Sequence, residues 1–79
     1  MTPDEIQTLI EKNLPEASAT VVSDDNTHFE ATVVSAAFEG KRSLQRHQMV
    51  YGAIGDGVGS EIHALSIQAL TPEEWEQRR

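Results

Sequence analysis

Hydrophobic positions along this chain switch between two periods, and the switches mark out its elements. Ile6, Leu9, Ile10 and Leu14 recur at helical spacing, with Gln7, Glu11 and Lys12 off that face. Thr2-Pro3-Asp4-Glu5 ahead of them is helix-start chemistry: a capping threonine, proline at the first helical position, and a glutamate three residues after the cap. Pro15 predicts that the helix stops by Leu14. Residues 17–22 are short and β-branched at their end, as a strand would be. Residues 28–35 alternate, with Phe29, Ala31 and Val33 on one face and His28, Glu30 and Thr32 on the other. The polar loop Ser23-Asp24-Asp25-Asn26-Thr27 between these two strands is short enough to predict an antiparallel hairpin.

Residues 36–40 read as a connection. Helical spacing returns over about residues 42–53, where Leu44, His47, Tyr51 and Ile54 share a face predicted to pack on the sheet. Arg42, Arg46, Met49 and Ala53 then fall on the opposite, solvated face. Gly52, Gly55, Gly57 and Gly59 break the pattern, leaving a short, weak turn of helix around residues 54–58. From Ile62 the alternation resumes: His63, Leu65, Ile67 and Ala69 point one way, Ile62, Ala64, Ser66 and Gln68 the other. His63 sits at the rim of the apolar face, where a strand leaves a loop. Thr71-Pro72-Glu73-Glu74 repeats the helix-start chemistry, and Trp75 can fold back over the sheet. The predicted core is Leu9, Ile10, Phe29, Ala31, Val33, Leu44, Tyr51, Leu65 and Ile67. The order αββααβα is that of a two-layer α+β domain spanning residues 1–79. The helical crossover between the second and third strands lets them run parallel, giving a mixed three-stranded sheet with helices on one face.

Composition bounds the function. With 79 residues there is one core, and 38% hydrophobic against 24% charged residues places the chain among folded domains. It has no cysteine, so it forms no disulfide and offers no thiolate to a metal or a substrate. No apolar run approaches the roughly 20 residues that span a bilayer. The acidic start, Met1-Thr2-Pro3-Asp4-Glu5, is unlike a signal peptide, so the expected location is cytoplasmic and no membrane partner is expected. The net charge of −7 disfavours nucleic acid and anionic lipid. Against that background Lys41, Arg42 and Arg46 form one local basic patch.

Catalysis has little to work with, and the chain is expected not to be an enzyme. Nothing resembles a nucleophile elbow. Solvation and capping account for Asp24-Asp25 and Glu73-Glu74. Gly55-Asp56-Gly57-Val58-Gly59 departs from the GxGxxG fingerprint and follows a helix rather than a strand. Gly52-Ala53-Ile54-Gly55 is formally a GxxG, the element with which KH domains clamp a nucleic-acid backbone, but its apolar middle favours helix termination. Of the three histidines, His47 reads as packed on the sheet and His28 as a strand-end residue, while His63 sits on the rim. Two imidazoles without thiolate fall short of the four protein ligands of a structural zinc site. They suit a metal centre whose other ligands come from elsewhere.

Phe38-Glu39-Gly40-Lys41, Leu44-Gln45-Arg46-His47-Gln48-Met49-Val50-Tyr51, Ile62-His63-Ala64-Leu65 and Thr71-Pro72-Glu73-Glu74-Trp75 together resemble the BolA family. The resemblance runs in order from the first helix to Trp75. The combination of RHxxVY, IHAL and TPEEW at these spacings is specific, where any one alone would be weak. The short loop before His28-Phe29 is similar to the bacterial branch without a long insertion there. The resemblance implies a fold similar to class II KH domains. It also implies a non-catalytic adaptor that pairs with a monothiol glutaredoxin and shares a 2Fe-2S cluster, in iron–sulfur assembly, trafficking or iron homeostasis. In that arrangement the glutaredoxin supplies a cysteine and bound glutathione a second thiolate. The BolA-like partner supplies the histidine at the His63 position and a residue from the loop between the first two strands. Family members commonly place Cys or His a little earlier in that loop. Here Asp24, Asp25 and Asn26 stand there, so the nearby His28 is the expected second ligand. Imidazole can replace thiolate on one iron of such a cluster. The isolated chain is expected to carry no cofactor and to be a monomer or weak homodimer. The alternative is a DNA-binding transcriptional regulator that uses the KH-like face with Lys41, Arg42 and Arg46. The same patch can dock an acidic partner surface.

Overall fold

A computed structural model of the protein describes residues 2–55 and 64–78. The described elements are α1 (Pro3–Asn13), β1 (Ala17–Val22), β2 (His28–Ser35), a 3-10 turn (Ala36–Phe38), α2 (Ser43–Ile54), β3 (Ala64–Leu70) and α3 (Pro72–Arg78). Both helix-start signals form as read. Thr2 Oγ1 accepts from the Glu5 amide at 3.2 Å, and Glu5 accepts from the Thr2 amide at 3.0 Å. Thr71 and Glu74 repeat the exchange at 3.2 and 2.9 Å. Each box satisfies amides that a helix leaves unpaired at its first turn. The weak helix expected around residues 54–58 falls mostly outside the described residues.

The sheet has the order β1-β2-β3. β1 and β2 pair antiparallel, from Ala17 opposite Ser35 to Val22 opposite Glu30. β2 and β3 pair parallel, from His28 beside Ala64 to Val34 beside Leu70. The α+β fold with a mixed three-stranded sheet is therefore the one expected, and the strand faces are as read. Ala19, Val21, Phe29, Ala31 and Val33 are buried against Ile6, Ile10 and Leu14 of α1 and Val50, Ala53 and Ile54 of α2, with Leu65, Ile67 and Ala69 packed at the margin. Phe38, read as part of a connection, is fully buried. Ser35, also fully buried, donates to the Pro15 carbonyl at 2.6 Å and accepts from the Ala37 amide at 3.1 Å, which fixes the turn that carries Phe38 inward.

Two expectations are corrected. The first is the rotation of α2. Leu44 is 69% exposed and Tyr51 38% exposed, while Val50 and Ala53 are buried and Met49 packs against the core. Apolar residues lie all round this helix, so its periodicity does not choose a face. Long-range bonds choose it: Asn13 Nδ2 donates to the Ala53 carbonyl at 3.0 Å, and Arg46 reaches β3 and α3. The second concerns helices on one face only. Trp75 lies beside Ser18, Thr20, Thr32 and Val34, on the side of the sheet away from the core, and Arg78 donates to Gln68 on that side at 3.0 Å. Only Thr71 separates β3 from α3. The helix therefore starts at the rim of the sheet, and a turn of about 100° per residue sends Glu74 toward α2 and Trp75 over the outer face. Among the described residues no helix is long and apolar enough to cross a membrane.

Burial of Phe38 ahead of α2 and exposure of Leu44 on it give a direct test. Phe38→Ala should lower stability by about 3–5 kcal/mol, as a buried aromatic truncation does. Leu44→Ala should change it by less than about 0.5 kcal/mol, as exposed positions do. Urea denaturation of both variants checks this; the reverse ranking would mean that α2 presents Leu44 to the core.

Candidate functional site

The β1–β2 loop is built around Asp25. Its Oδ1 accepts the backbone amides of Thr27 and His28, both at 2.9 Å, and its Oδ2 lies 2.9 Å from His28 Nδ1. Ser23 Oγ donates to the His28 carbonyl at 2.6 Å and accepts from the Asn26 amide at 2.9 Å. Asn26 takes φ 56°, a left-handed conformation that asparagine tolerates. The His28 amide, then the His28 ring, then the Thr27 amide hold the Asp25 carboxyl well below the usual carboxylate range. Asp25 is therefore ionised and acts only as an acceptor. Because the carboxylate can only accept, Nδ1 is the donor of this contact, and Nε2 makes no hydrogen bond among the described residues. A carboxylate behind one ring nitrogen is the arrangement that commonly orients a metal-ligating histidine.

His28 is 71% exposed in its side chain and is the first residue of β2. Its parallel register partner is Ala64, the first residue of β3. His63 precedes Ala64 in the sequence and lies outside the described residues. An open cleft of about 440 Å³ at this end of the sheet is lined by residues that include Val22, Asp25, His28, Glu30 and Ser66. Among the described residues no three His, Cys, Asp or Glu side chains converge as a metal-binding group. His47 is half-buried on α2.

The basic patch is smaller than its sequence suggests. Lys41 and Arg42 are exposed ahead of α2. Arg46 is not available with them: its side chain is only 14% exposed. Its Nε donates to the Lys41 carbonyl at 2.9 Å, and its Nη1 donates to the Ala69 carbonyl at 3.0 Å and to Glu74 Oε1 at 2.7 Å. Its guanidinium carbon also stands 5.9 Å from the centre of the Phe38 ring. Glu74, 28 residues away in sequence, gave no local sign of this pairing. Asp25 was legible only as part of a polar turn, although an Asp three residues before a His at a strand entry is the signal that marks it. In the GxxG segment, Ala53 and Ile54 are buried in the last turn of α2, and Gly55 closes the helix at φ 81°. That tetrapeptide ends a helix and holds the core.

These features define a small α+β domain with a mixed three-stranded sheet, carrying an oriented histidine where two parallel strands begin. The chain belongs to the BolA family: the family described as BolA-like protein matches residues 6–74. BolA-like protein 1 of Homo sapiens is 49% identical over 51 residues, which are 65% of this chain and 37% of that protein. The chain thus spans less than half the length of that relative. The DNA-binding transcriptional regulator BolA of Vibrio cholerae is 36% identical over 85 residues, covering 91% of this chain and 80% of that protein. The structure of a BolA protein homologue from Coxiella burnetii aligns with a TM-score of 0.81 at 44% identity, over 96% of this chain and 97% of the other.

Glu74 gives a pH test. The Arg46 hydrogen bond, then the Thr71 amide, hold its carboxyl below the usual 4.5. A folded value below the unfolded one stabilises the fold fully above the unfolded value, and that contribution is lost as pH falls through the folded value. Glu74→Gln should therefore be less stable than the parent at pH 7, with the gap closing as pH falls below the usual 4.5 and through the lowered folded value. Denaturation midpoints across this range check it; an acid limb of equal depth in both proteins would remove Glu74 from the account.

Proposed function

We propose that this chain is a non-catalytic adaptor that pairs with a monothiol glutaredoxin and shares a 2Fe-2S cluster with it, in iron–sulfur assembly, trafficking or iron homeostasis. Family membership supports this reading. The observation that carries it is the Asp25–His28 couple, an oriented imidazole whose strand position is paired with Ala64, next in sequence to His63. The residues that would hold the cluster on this side are His63, as the main ligand, and His28 through Nε2. When bound, the cluster presents an iron that accepts imidazole nitrogen while the partner's cysteine and glutathione supply thiolate. A chain without cysteine is suited to that division. Asp25 engages the ring at Nδ1, which leaves Nε2 as the nitrogen to offer the iron. Lys41 and Arg42, with the exposed Leu44 and Tyr51 along α2, offer a basic and apolar surface to an acidic partner. The reading places the protein in the cytoplasm, as a monomer or weak homodimer when alone.

A second reading, a DNA-binding regulator, rests on the name of the Vibrio cholerae relative. It has Lys41 and Arg42 to work with, but Arg46 is committed to Glu74 and the chain carries a net charge of −7.

Reconstitution with the host's monothiol glutaredoxin, iron, sulfide and glutathione tests the first reading through visible absorbance and circular dichroism. His63→Ala should fold and still bind the glutaredoxin, but lose the mixed-ligand spectrum. His28→Ala should weaken it, and His47→Ala should leave it in place. An unchanged spectrum in His63→Ala refutes the assignment. DNA binding that weakens steeply with salt, and further in Arg42→Ala, would favour the second reading.

A further inference from the structure

β1 is an edge strand whose outward backbone is not bare. In an antiparallel ladder, alternate residues bond the neighbouring strand and the others point away. The amides of Ala19 and Val21 are among the outward ones of β1. The Ala19 amide donates to Glu11 Oε2 at 3.0 Å, and the Val21 amide donates to Gln7 Oε1 at 3.4 Å. The fit follows from two periods. Residues four apart on a helix rise about 6 Å, and residues two apart on a strand rise about 6.8 Å. α1 runs antiparallel to β1, so the later helix residue meets the earlier strand residue.

What this arrangement covers is a segment prone to pair with itself. Ala17-Ser18-Ala19-Thr20-Val21-Val22 is uncharged, has no proline or glycine, and ends in three β-branched residues. Such a segment with free edge amides templates a further strand. We infer that the outer edge of β1 is a latent pairing surface for a second copy of this chain, held shut by Gln7 and Glu11. A second copy is the fitting occupant because two-fold antiparallel pairing of β1 with itself brings like onto like, with no charge in the strand to oppose it. The opposite edge of the sheet has its own cover at one point, where Arg46 bonds the Ala69 carbonyl.

Amide hydrogen exchange by NMR, paired with sedimentation velocity on the full chain, tests the inference. Gln7→Ala should speed exchange at Val21 by about tenfold or more and leave Ala19 protected; Glu11→Ala should do the reverse. Glu11→Gln keeps an acceptor and should keep Ala19 protected. The double variant Gln7→Ala/Glu11→Ala should associate more strongly than the parent as concentration rises, with Ala19 and Val21 protected again in the associated form. Unchanged exchange in both single variants would overturn the inference, and so would a double variant that associates no more strongly than the parent. A uniform rise across β1, including Ser18, Thr20 and Val22, would also overturn it, because the side chains would then be stabilising the fold rather than sealing an edge. The single variants keep the test open if the double variant fails to fold.

Discussion

The fold closes on one guanidinium. Arg46 stands on α2, yet it holds the carbonyl of Lys41 before that helix, the carbonyl of Ala69 in β3 and the carboxylate of Glu74 in α3. Parallel pairing of β2 with β3 is non-local: a whole crossover must be in place before the strands meet. Arg46 ties the crossover helix to the far end of the returning strand and to the helix after it. A planar fork of donors can serve three acceptors in three directions, as a lysine ammonium on the same stem would not. Glu74 is 42% exposed, so the pair is not fully desolvated and its worth is moderate. Its weight is geometric. Glu74 also completes the cap at Thr71, so the start of α3 and its attachment to α2 are a single arrangement.

Local signals were legible and non-local ones were not. Capping boxes, strand alternation and the break at Pro15 each act within a few residues, and each appears where the sequence places it. The rotation of α2 depends on partners outside the helix. With Leu44, Met49, Val50, Tyr51, Ala53 and Ile54 spread round its circumference, either side could have been buried on composition alone. The same cause cut the basic patch to two residues. A cluster of cations in sequence says nothing about which of them the fold consumes, and the acceptor for Arg46 lies 28 positions away. At the candidate site, His28 was legible as a strand-entry histidine. Its orienting partner was hidden in a loop whose residues all have turn chemistry as an adequate explanation.

The two edges of the sheet are covered by the same economy. A three-stranded sheet has two exposed backbone rows and few elements with which to cover them. Side chains do it here: Gln7 and Glu11 on β1, Arg46 on β3. Gln7 and Glu11 sit off the apolar face of α1 and had no evident task in the sequence. Their spacing of one helical turn matches alternate outward amides of a strand.

Coverage of the outer face is uneven, and this decides where the molecule is open. Trp75 lies beside Ser18, Thr20, Thr32 and Val34, toward the end where β2 finishes and β1 begins. At the other end β2 and β3 both start, and the Val22–Ser66 side of the sheet carries a cleft instead of a helix. In the described residues α3 runs from Pro72 to Arg78 and reaches back along the sheet to Gln68. Among the described residues, the end left without a covering helix is the one where Asp25 holds the His28 ring. The clamp fastens one end of the sheet, and the oriented imidazole stands exposed at the other.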